Sequence, residues 1–191
     1  MQMPRSPELM SADDTALLVV DMQERLLPSI RDAARVAWNV SRLVDGAKVL
    51  GVPVLATEQY PRGLGPTVEP LASQVGPASE KLTFSCAGCG ELFEPLAERG
   101  IGKILVVGIE THVCVAQTVC DLLHNGFRVY VAADAVGSRF ELDYQIALRR
   151  LETAGAVVTT TEAALFEWTR AAGTPEFKQI STIVKREAPS A

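Results

Sequence analysis

Three side chains in this sequence have the chemistry of a nucleophile, a base and a cation. Cys114 follows an apolar stretch and a short turn, Asp21 ends another apolar stretch, and Lys81 opens the segment KLTFS. We place Cys114 in the first turn of a helix that Thr111 caps, where the helix dipole and unpaired N–H groups lower a thiol pKa from about 8.5. Asp21 is expected to take the thiol proton as a general base, and Lys81 to hold the Asp21 carboxylate.

Each of these residues also has a purely structural interpretation. A free cysteine is most often buried and inert. An aspartate after a strand often starts a turn, and a lone lysine is most often solvated on the surface. The spacing of Cys114, Asp21 and Lys81 leaves both interpretations open.

The order of apolar stretches predicts alternating strands and helices, with an extended loop over residues 58–80. Unbroken apolar strands separated by helices indicate a three-layer α/β/α fold with a mostly parallel sheet of about six strands, covered on both faces. The predicted strands are 16–21, 52–57, 81–85, 103–108, 127–132 and 156–160, and the predicted helices are 30–50, 91–99, 111–125, 141–154, 161–171 and 175–184.

Ligands of such sheets bind beyond the carboxyl ends of the strands. This rule selects the segments 21–23, 57–60, 108–114 and 134–139, which include Asp21 and Cys114, and it predicts which side chains line the pocket. We expect Gln23, Tyr60, Phe84 and Thr111 to bind substrate. Two aromatic rings with few charges favour a small, partly apolar molecule.

Length and composition limit the class of protein. At roughly 100–200 residues per domain, 191 residues predict one domain, which we place at 14–185 between a polar arm at 1–13 and a tail at 186–191. The net charge of -5 argues against nucleic-acid binding. The apolar runs are far shorter than the roughly 20 residues of a membrane span.

Four cysteines and no apolar stretch of signal-peptide type at the N-terminus predict reduced thiols and a cytoplasmic location. The partner expected besides a small-molecule substrate is a second copy of the chain. Trp38, Trp168 and the apolar helices near the C-terminus suggest this homo-oligomer.

Several segments resemble the isochorismatase-like cysteine hydrolases, a family that includes nicotinamidases and carbamoyl-sarcosine amidases. The matching segments are LLVVDMQERL at 17–26, KLTFS at 81–85 and, most specifically, VVGIETHVCVAQTVCDLLHNGFRVYVAADAVGSR at 106–139. The resemblance covers about residues 14–170. Within the family, ATEQYPRGLGPT at 56–67 makes the chain most similar to the isochorismatase-domain-containing proteins.

The resemblance implies a Cys-Asp-Lys triad at Cys114, Asp21 and Lys81. It also implies a cis peptide bond before Glu110, with the Glu110 and Cys114 N–H groups forming the oxyanion hole. The implied reaction is hydrolysis of an amide through an acyl-enzyme, replaced in the isochorismatase subgroup by hydrolysis of a vinyl ether.

One departure from the family concerns metal binding. Nicotinamidases hold a metal with an Asp-x-His segment and further histidines, whereas this sequence has EQY at 58–60 and only two histidines, His112 and His124. We therefore expect no catalytic metal and no other cofactor, and nicotinamide becomes an unfavourable substrate.

Two alternatives from other classes remain open. The pair Cys86 and Cys89 forms a CxxC, which is a redox signature in thioredoxin-like folds and would make the chain a thiol oxidoreductase. The other alternative is a non-catalytic interaction protein on the same fold, which the presence of all three triad residues disfavours.

Overall fold

The computed structural model describes residues 3–189 and contains one six-stranded sheet. All five neighbouring strand pairs are parallel, and the strand order is β3-β2-β1-β4-β5-β6. The strands are β1 (Thr15–Val20), β2 (Val54–Gln59), β3 (Ser79–Lys81), β4 (Lys103–Ile109), β5 (Arg128–Gly137) and β6 (Val157–Thr159).

Helices cover both faces of this sheet, so the predicted three-layer fold is confirmed. Along β1, Leu17 and Val19 face a core shared with α1, α7 and α8, whereas Leu18 and Val20 face a core shared with α4, α5 and α6. The helices are α1 (Ala33–Leu50), α2 (Pro61–Leu64), α3 (Leu71–Val75), α4 (Glu94–Glu98), α5 (Ala116–His124), α6 (Glu141–Thr153), α7 (Thr161–Thr169) and α8 (Pro175–Val184).

The predicted boundaries are wrong in the least apolar segments. The third strand is Ser79–Lys81 rather than 81–85, because it is a polar edge strand with no apolar run to reveal it. Residues 58–80 are not one extended loop, since they begin within β2 and contain α2 and α3. The helix expected at 91–99 is a 3-10 turn at Gly90–Leu92 followed by the short α4.

The sheet reverses its direction of growth between β1 and β4. The chain builds outward from β1 to β2 and β3, then returns to place β4 on the other side of β1. The two strands approach closely at Gly108, where a Cβ would lie 2.1 Å from the Val20 carbonyl oxygen and φ is +107°. A crevice at such a reversal is the usual ligand site of an open parallel sheet.

The segment before β1 is packed onto the domain rather than projecting from it. Met10 is fully buried, and Lys103 Nζ donates to the Leu9 carbonyl at 2.8 Å and to Asp14 Oδ2 at 2.7 Å. Tyr130 Oη donates to the Glu8 carbonyl at 2.6 Å. Within residues 3–189, no helix has both the length and the apolar composition needed to span a bilayer.

Of the two tryptophans that suggested an oligomer, Trp168 lies in the core and Trp38 is only partly exposed. Trp168 is 2% exposed and belongs to the core under α1, and α8 also packs against α1. Trp38 is half-buried beneath the Arg42 guanidinium, which lies 4.2 Å from the centre of its ring. Trp168 therefore gives no support to the expected homo-oligomer, which stays a prediction.

Candidate active site

Asp21 and Cys114 follow the two strands that flank the reversal of the sheet. Asp21 comes directly after β1, and Cys114 lies five residues after β4, in a π-helical turn at Thr111–Val115. Lys81 is the last residue of the edge strand β3. All three are buried, with exposed fractions of 0% for Asp21, 5% for Lys81 and 6% for Cys114.

The Lys81 ammonium is surrounded by acceptors. Its Nζ donates to Asp21 Oδ2 at 2.7 Å and to Gln59 Oε1 at 2.8 Å. The carbonyl oxygens of Phe84 and Thr83 lie 3.0 and 3.3 Å away. Because an ammonium has three N–H donors, these acceptors engage its full capacity, and Lys81 has no donor left for a ligand.

The Asp21 carboxylate connects the candidate groups. Its Oδ2 accepts from Lys81, its Oδ1 accepts from Thr57 Oγ1 at 2.8 Å, and the Cys114 thiol interacts with the same carboxylate. The Cys86 thiol lies 3.4 Å from Thr57 Oγ1. Because the Thr57 proton is committed to Asp21, the Cys86 thiol must be the donor in that contact.

The environment of Cys114 differs from the sequence-based expectation. Burial and, after it, the negative charge of Asp21 raise the pKa of the Cys114 thiol to about 12, although the Lys81 charge acts in the opposite direction. The lowered pKa expected from the helix terminus is therefore wrong, because desolvation outweighs the dipole. Cys114 rests as a neutral thiol and needs a base to become a nucleophile.

Thr111 does not cap the helix as expected. It is the first residue of the π-helical turn, and its fully buried hydroxyl has no hydrogen-bond partner among residues 3–189. The Ile109–Glu110 peptide bond is cis. In this part of the chain, no backbone carbonyl accepts a hydrogen bond from the Glu110 N–H.

The other predicted pocket residues differ in exposure. Tyr60 and Phe84 are 50% and 52% exposed. Gln23 is fully buried, and its amide bonds only to backbone, donating to the carbonyls of Gln59 at 3.0 Å and Gly65 at 2.7 Å and accepting from the Gln59 N–H at 2.7 Å. Gln23 therefore fastens the segment after β2 and has no free group for a ligand.

Both cysteines of the CxxC are buried, Cys86 at the start of a 3-10 turn at Cys86–Gly88 and Cys89 directly after it. Cys86 is 0% exposed, and its N–H donates to Thr118 Oγ1 on α5 at 2.9 Å. Burial raises the pKa of Cys86 to about 11 and also raises that of Cys89, which is 3% exposed. Reactive redox cysteines have exposed thiols of lowered pKa, so this environment does not favour an oxidoreductase.

Sequence reasoning selected the segment 57–60 but gave no role to Thr57 and Gln59, the residues of β2 that hold Asp21 and Lys81. Their spacing of two residues places both side chains on one face of the strand, which was the available signal. At residue 58, where the metal-binding branch of the family differs, Glu58 Oε1 accepts from the Thr67 N–H at 2.6 Å and hydroxyl at 2.7 Å.

The buried thiols make the stability of the fold sensitive to alkaline pH. A folded-state pKa of about 11 for Cys86, above its ordinary 9.0, favours folding below pH 9, and this contribution is lost as pH rises through 11. We expect Cys86 to lower the free energy of unfolding by about 1.4 kcal/mol per pH unit between pH 9 and 11. Urea unfolding of Cys86→Ala between pH 8 and 10.5 should show a shallower fall than the wild type.

Cys120→Ala is the control for this series, because Cys120 is only partly buried. Its profile should follow that of the wild type. Equal slopes for Cys86→Ala and the wild type would show that the thiol is not held neutral by its surroundings.

The family model described as "Isochorismatase domain" matches residues 15–163. "Isochorismatase domain-containing protein 1" of Danio rerio is 41% identical over 174 residues, which are 88% of this chain and 60% of that protein. The chain thus spans less than two thirds of the length of that relative.

Solved structures share the fold of this chain. A structure of "MAR1 ribonuclease" from Caenorhabditis elegans has a TM-score of 0.89 and 36% identity, covering 95% of both chains. The YcaC gene product of Escherichia coli, "an octameric hydrolase of unknown specificity", has a TM-score of 0.84 and 26% identity, covering 94% of this chain and 92% of that one. The chain belongs to the isochorismatase family, as its motifs and the carboxylate-centred site between β1 and β4 had indicated.

Proposed function

We propose that this protein is a cysteine hydrolase that cleaves a small amide, or a related compound, through a thioester acyl-enzyme. Cys114 is the nucleophile, Asp21 the general base and Lys81 the cation that holds the base. One observation carries the proposal: a fully buried Asp21 carboxylate lies between the Lys81 ammonium, at 2.7 Å, and the Cys114 thiol. Covalent catalysis requires a nucleophile with a base nearby and a third group that orients the base, which is the arrangement of Cys114, Asp21 and Lys81.

The reaction divides into two steps. Asp21 accepts the Cys114 proton while sulfur attacks the substrate carbonyl carbon, and the proton then passes from Asp21 to the leaving amine as the C–N bond breaks. In the second step a water molecule attacks the thioester, Asp21 accepts its proton, and the acid product leaves as the thiol is restored. The high thiol pKa means that the thiolate forms only when substrate is present to receive its electrons.

The oxyanion of each tetrahedral intermediate is assigned to the backbone N–H groups of Glu110 and Cys114. The unpaired state of the Glu110 N–H supports this assignment. One such donor is worth about 3–4 kcal/mol of transition-state stabilisation where it has been measured. The buried, unpartnered Thr111 hydroxyl is a further candidate contact for a bound substrate.

Lys81 and Gln23 act on the position of other groups rather than on substrate. The Lys81 donors are all engaged, so its contribution is a fixed positive charge 2.7 Å from the base. The Gln23 amide is likewise engaged by backbone groups, and we assign it a positioning role.

Tyr60 and Phe84 are proposed to contact the substrate at the mouth of the site. A cavity of about 320 Å³ next to Tyr60 is lined by Tyr60, Pro61, Arg62, Glu80, Lys81 and Leu82. A cavity near 300 Å³ is at the small end of ligand sites. The name of the worm relative points to RNA as a substrate of that protein. For this chain, the net charge of -5 and the 6% exposure of Cys114 argue against RNA.

We further propose that the protein forms a homo-oligomer, as the E. coli relative does. The surface that supports this proposal is the start of α6, where Phe140, Leu142 and Ile146 are 68%, 67% and 49% exposed. Adjacent exposed apolar side chains of this size are typical of an interface.

A covalent adduct on Cys114 is the direct test of the proposed function. Small amides and isochorismate are incubated with the protein, quenched in acid and analysed by peptide mass spectrometry. We expect at least one amide to be hydrolysed and to leave its acyl group on the peptide that contains Cys114, because the thioester survives acid. Turnover with isochorismate and no adduct on Cys114 would instead indicate vinyl-ether hydrolysis and overturn the acyl-enzyme.

A further inference from the structure

Residues 137–139, at the end of β5 and directly after it, contact the turn that carries Cys114. Ile109 pairs with Gly137 at the ends of β4 and β5. Ser138 Oγ lies 3.0 Å from His112 Nδ1. Arg139 reaches the residue between these two points, Glu110.

The contact between Arg139 and Glu110 is a two-point fork. Arg139 Nε donates to Glu110 Oε2 at 3.0 Å, and Nη2 donates to Oε1 at 2.9 Å. The Glu110 side chain is 8% exposed, whereas that of Arg139 is 54% exposed. A bidentate pair fixes the orientation of the carboxylate as well as its distance, which a single hydrogen bond does not.

Glu110, which this fork holds, has an N–H group with no backbone acceptor among residues 3–189. Its carbonyl, in contrast, accepts from the N–H groups of Val113 and Val115 at 3.0 and 3.2 Å. Glu110 is thus fixed at its side chain and its carbonyl, leaving its N–H as the unpaired group. An oxyanion donor acts only within about 2.7–3.1 Å of the charge, so the proposed active site requires the Glu110 N–H to be held in place.

We propose that Arg139 is a positioning residue that holds the Glu110 N–H where the oxyanion forms. This inference rests on the proposed function, because it presumes that Cys114 is the nucleophile. Arg139 itself touches no reacting atom. Its effect should therefore be confined to reactions in which negative charge develops on a carbonyl oxygen.

Two small probes separate that effect from general loosening of the site. The Cys114 sulfur adds to the terminal carbon of acrylamide. This step moves an electron pair onto the carbonyl oxygen as an enolate, before the α-carbon is protonated. Iodoacetamide is attacked at a saturated carbon, where iodide leaves with the electron pair and no oxyanion forms. Both probes carry the same amide group and are similar in size.

The experiment measures both rate constants at Cys114 by peptide mass spectrometry. Arg139→Gln should lower the acrylamide rate constant about tenfold or more, since complete loss of one oxyanion donor costs roughly 10²–10³-fold. The same variant should change the iodoacetamide rate constant less than about twofold. Arg139→Lys keeps the charge but loses the fork, and should lie between Arg139→Gln and the wild type. Arg128→Gln, at the opposite end of β5, should match the wild type.

Equal slowing of both probes in Arg139→Gln, or no change in either, would overturn the inference. If Arg139→Gln does not fold, the same ratio is read from Arg139→Lys and from Glu110→Gln, which keeps the shape of the side chain. A wild type whose Cys114 reacts with neither probe would instead count against the proposed function.

Discussion

Replacing Cys114 by alanine is expected to reduce hydrolysis of any turned-over amide by at least about 10⁴-fold. The reason is that no other thiol can take its place: Cys86 is separated from Asp21 by the Thr57 hydroxyl, and its thiol is a donor to that hydroxyl. Folding should be preserved, because alanine removes a single sulfur from a side chain at the edge of the core. Product formation is measured by mass spectrometry and folding by urea unfolding.

Cys120→Ala is the matched control, since Cys120 lies six residues further along and outside the site. Its turnover should remain within about twofold of the wild type. Turnover that survives in Cys114→Ala would refute the acyl-enzyme mechanism. Loss of insulin reduction in Cys86→Ser, with Cys114→Ser unaffected, would favour the oxidoreductase alternative instead.

Much of this site follows from one property of the sequence, the position of polar residues at the ends of apolar strands. Asp21 and Cys114 were located in this way, because β1 and β4 are long, buried and easily recognised. Lys81 was selected as a residue, but its strand was misplaced. β3 has only three residues and is polar, so its register against β2 depends on tertiary contacts such as the Lys81 hydrogen bond to Gln59.

Depth of burial is the property that the sequence did not provide. The residue types around Cys114 indicate a helix terminus, which lowers a thiol pKa, but its exposed fraction of 6% reverses the direction of the shift. The same applies to Trp168, which has the size of an interface residue but fills the core beneath α1. Patterns of residue type predict what a side chain can do, whereas packing determines its solvent environment.

We expect the largest loss of stability when the ion pair between Lys81 and Asp21 is broken. Lys81→Met is expected to lower the free energy of unfolding by about 3–5 kcal/mol, because it leaves a buried carboxylate without its cation. Asp21→Asn should lower the free energy of unfolding by a smaller amount, roughly 2–3 kcal/mol in total. In that variant Lys81 keeps Gln59 Oε1 and two carbonyl acceptors, whereas in Lys81→Met the carboxylate keeps only the Thr57 hydroxyl and the Cys114 thiol.

The double variant Asp21→Asn/Lys81→Met separates folding from chemistry. With both charges removed, much of the lost stability should return, because the desolvation of an unpaired charge is no longer present. Catalysis should not return, because an amide cannot accept the Cys114 proton. Lys103→Met provides the comparison, since Lys103 forms a 2.7 Å pair with the more exposed Asp14 at the other end of the sheet and should cost only about 1 kcal/mol. Recovery of turnover in the double variant, measured with the same amide, would show that Asp21 is a structural residue and that the base lies elsewhere.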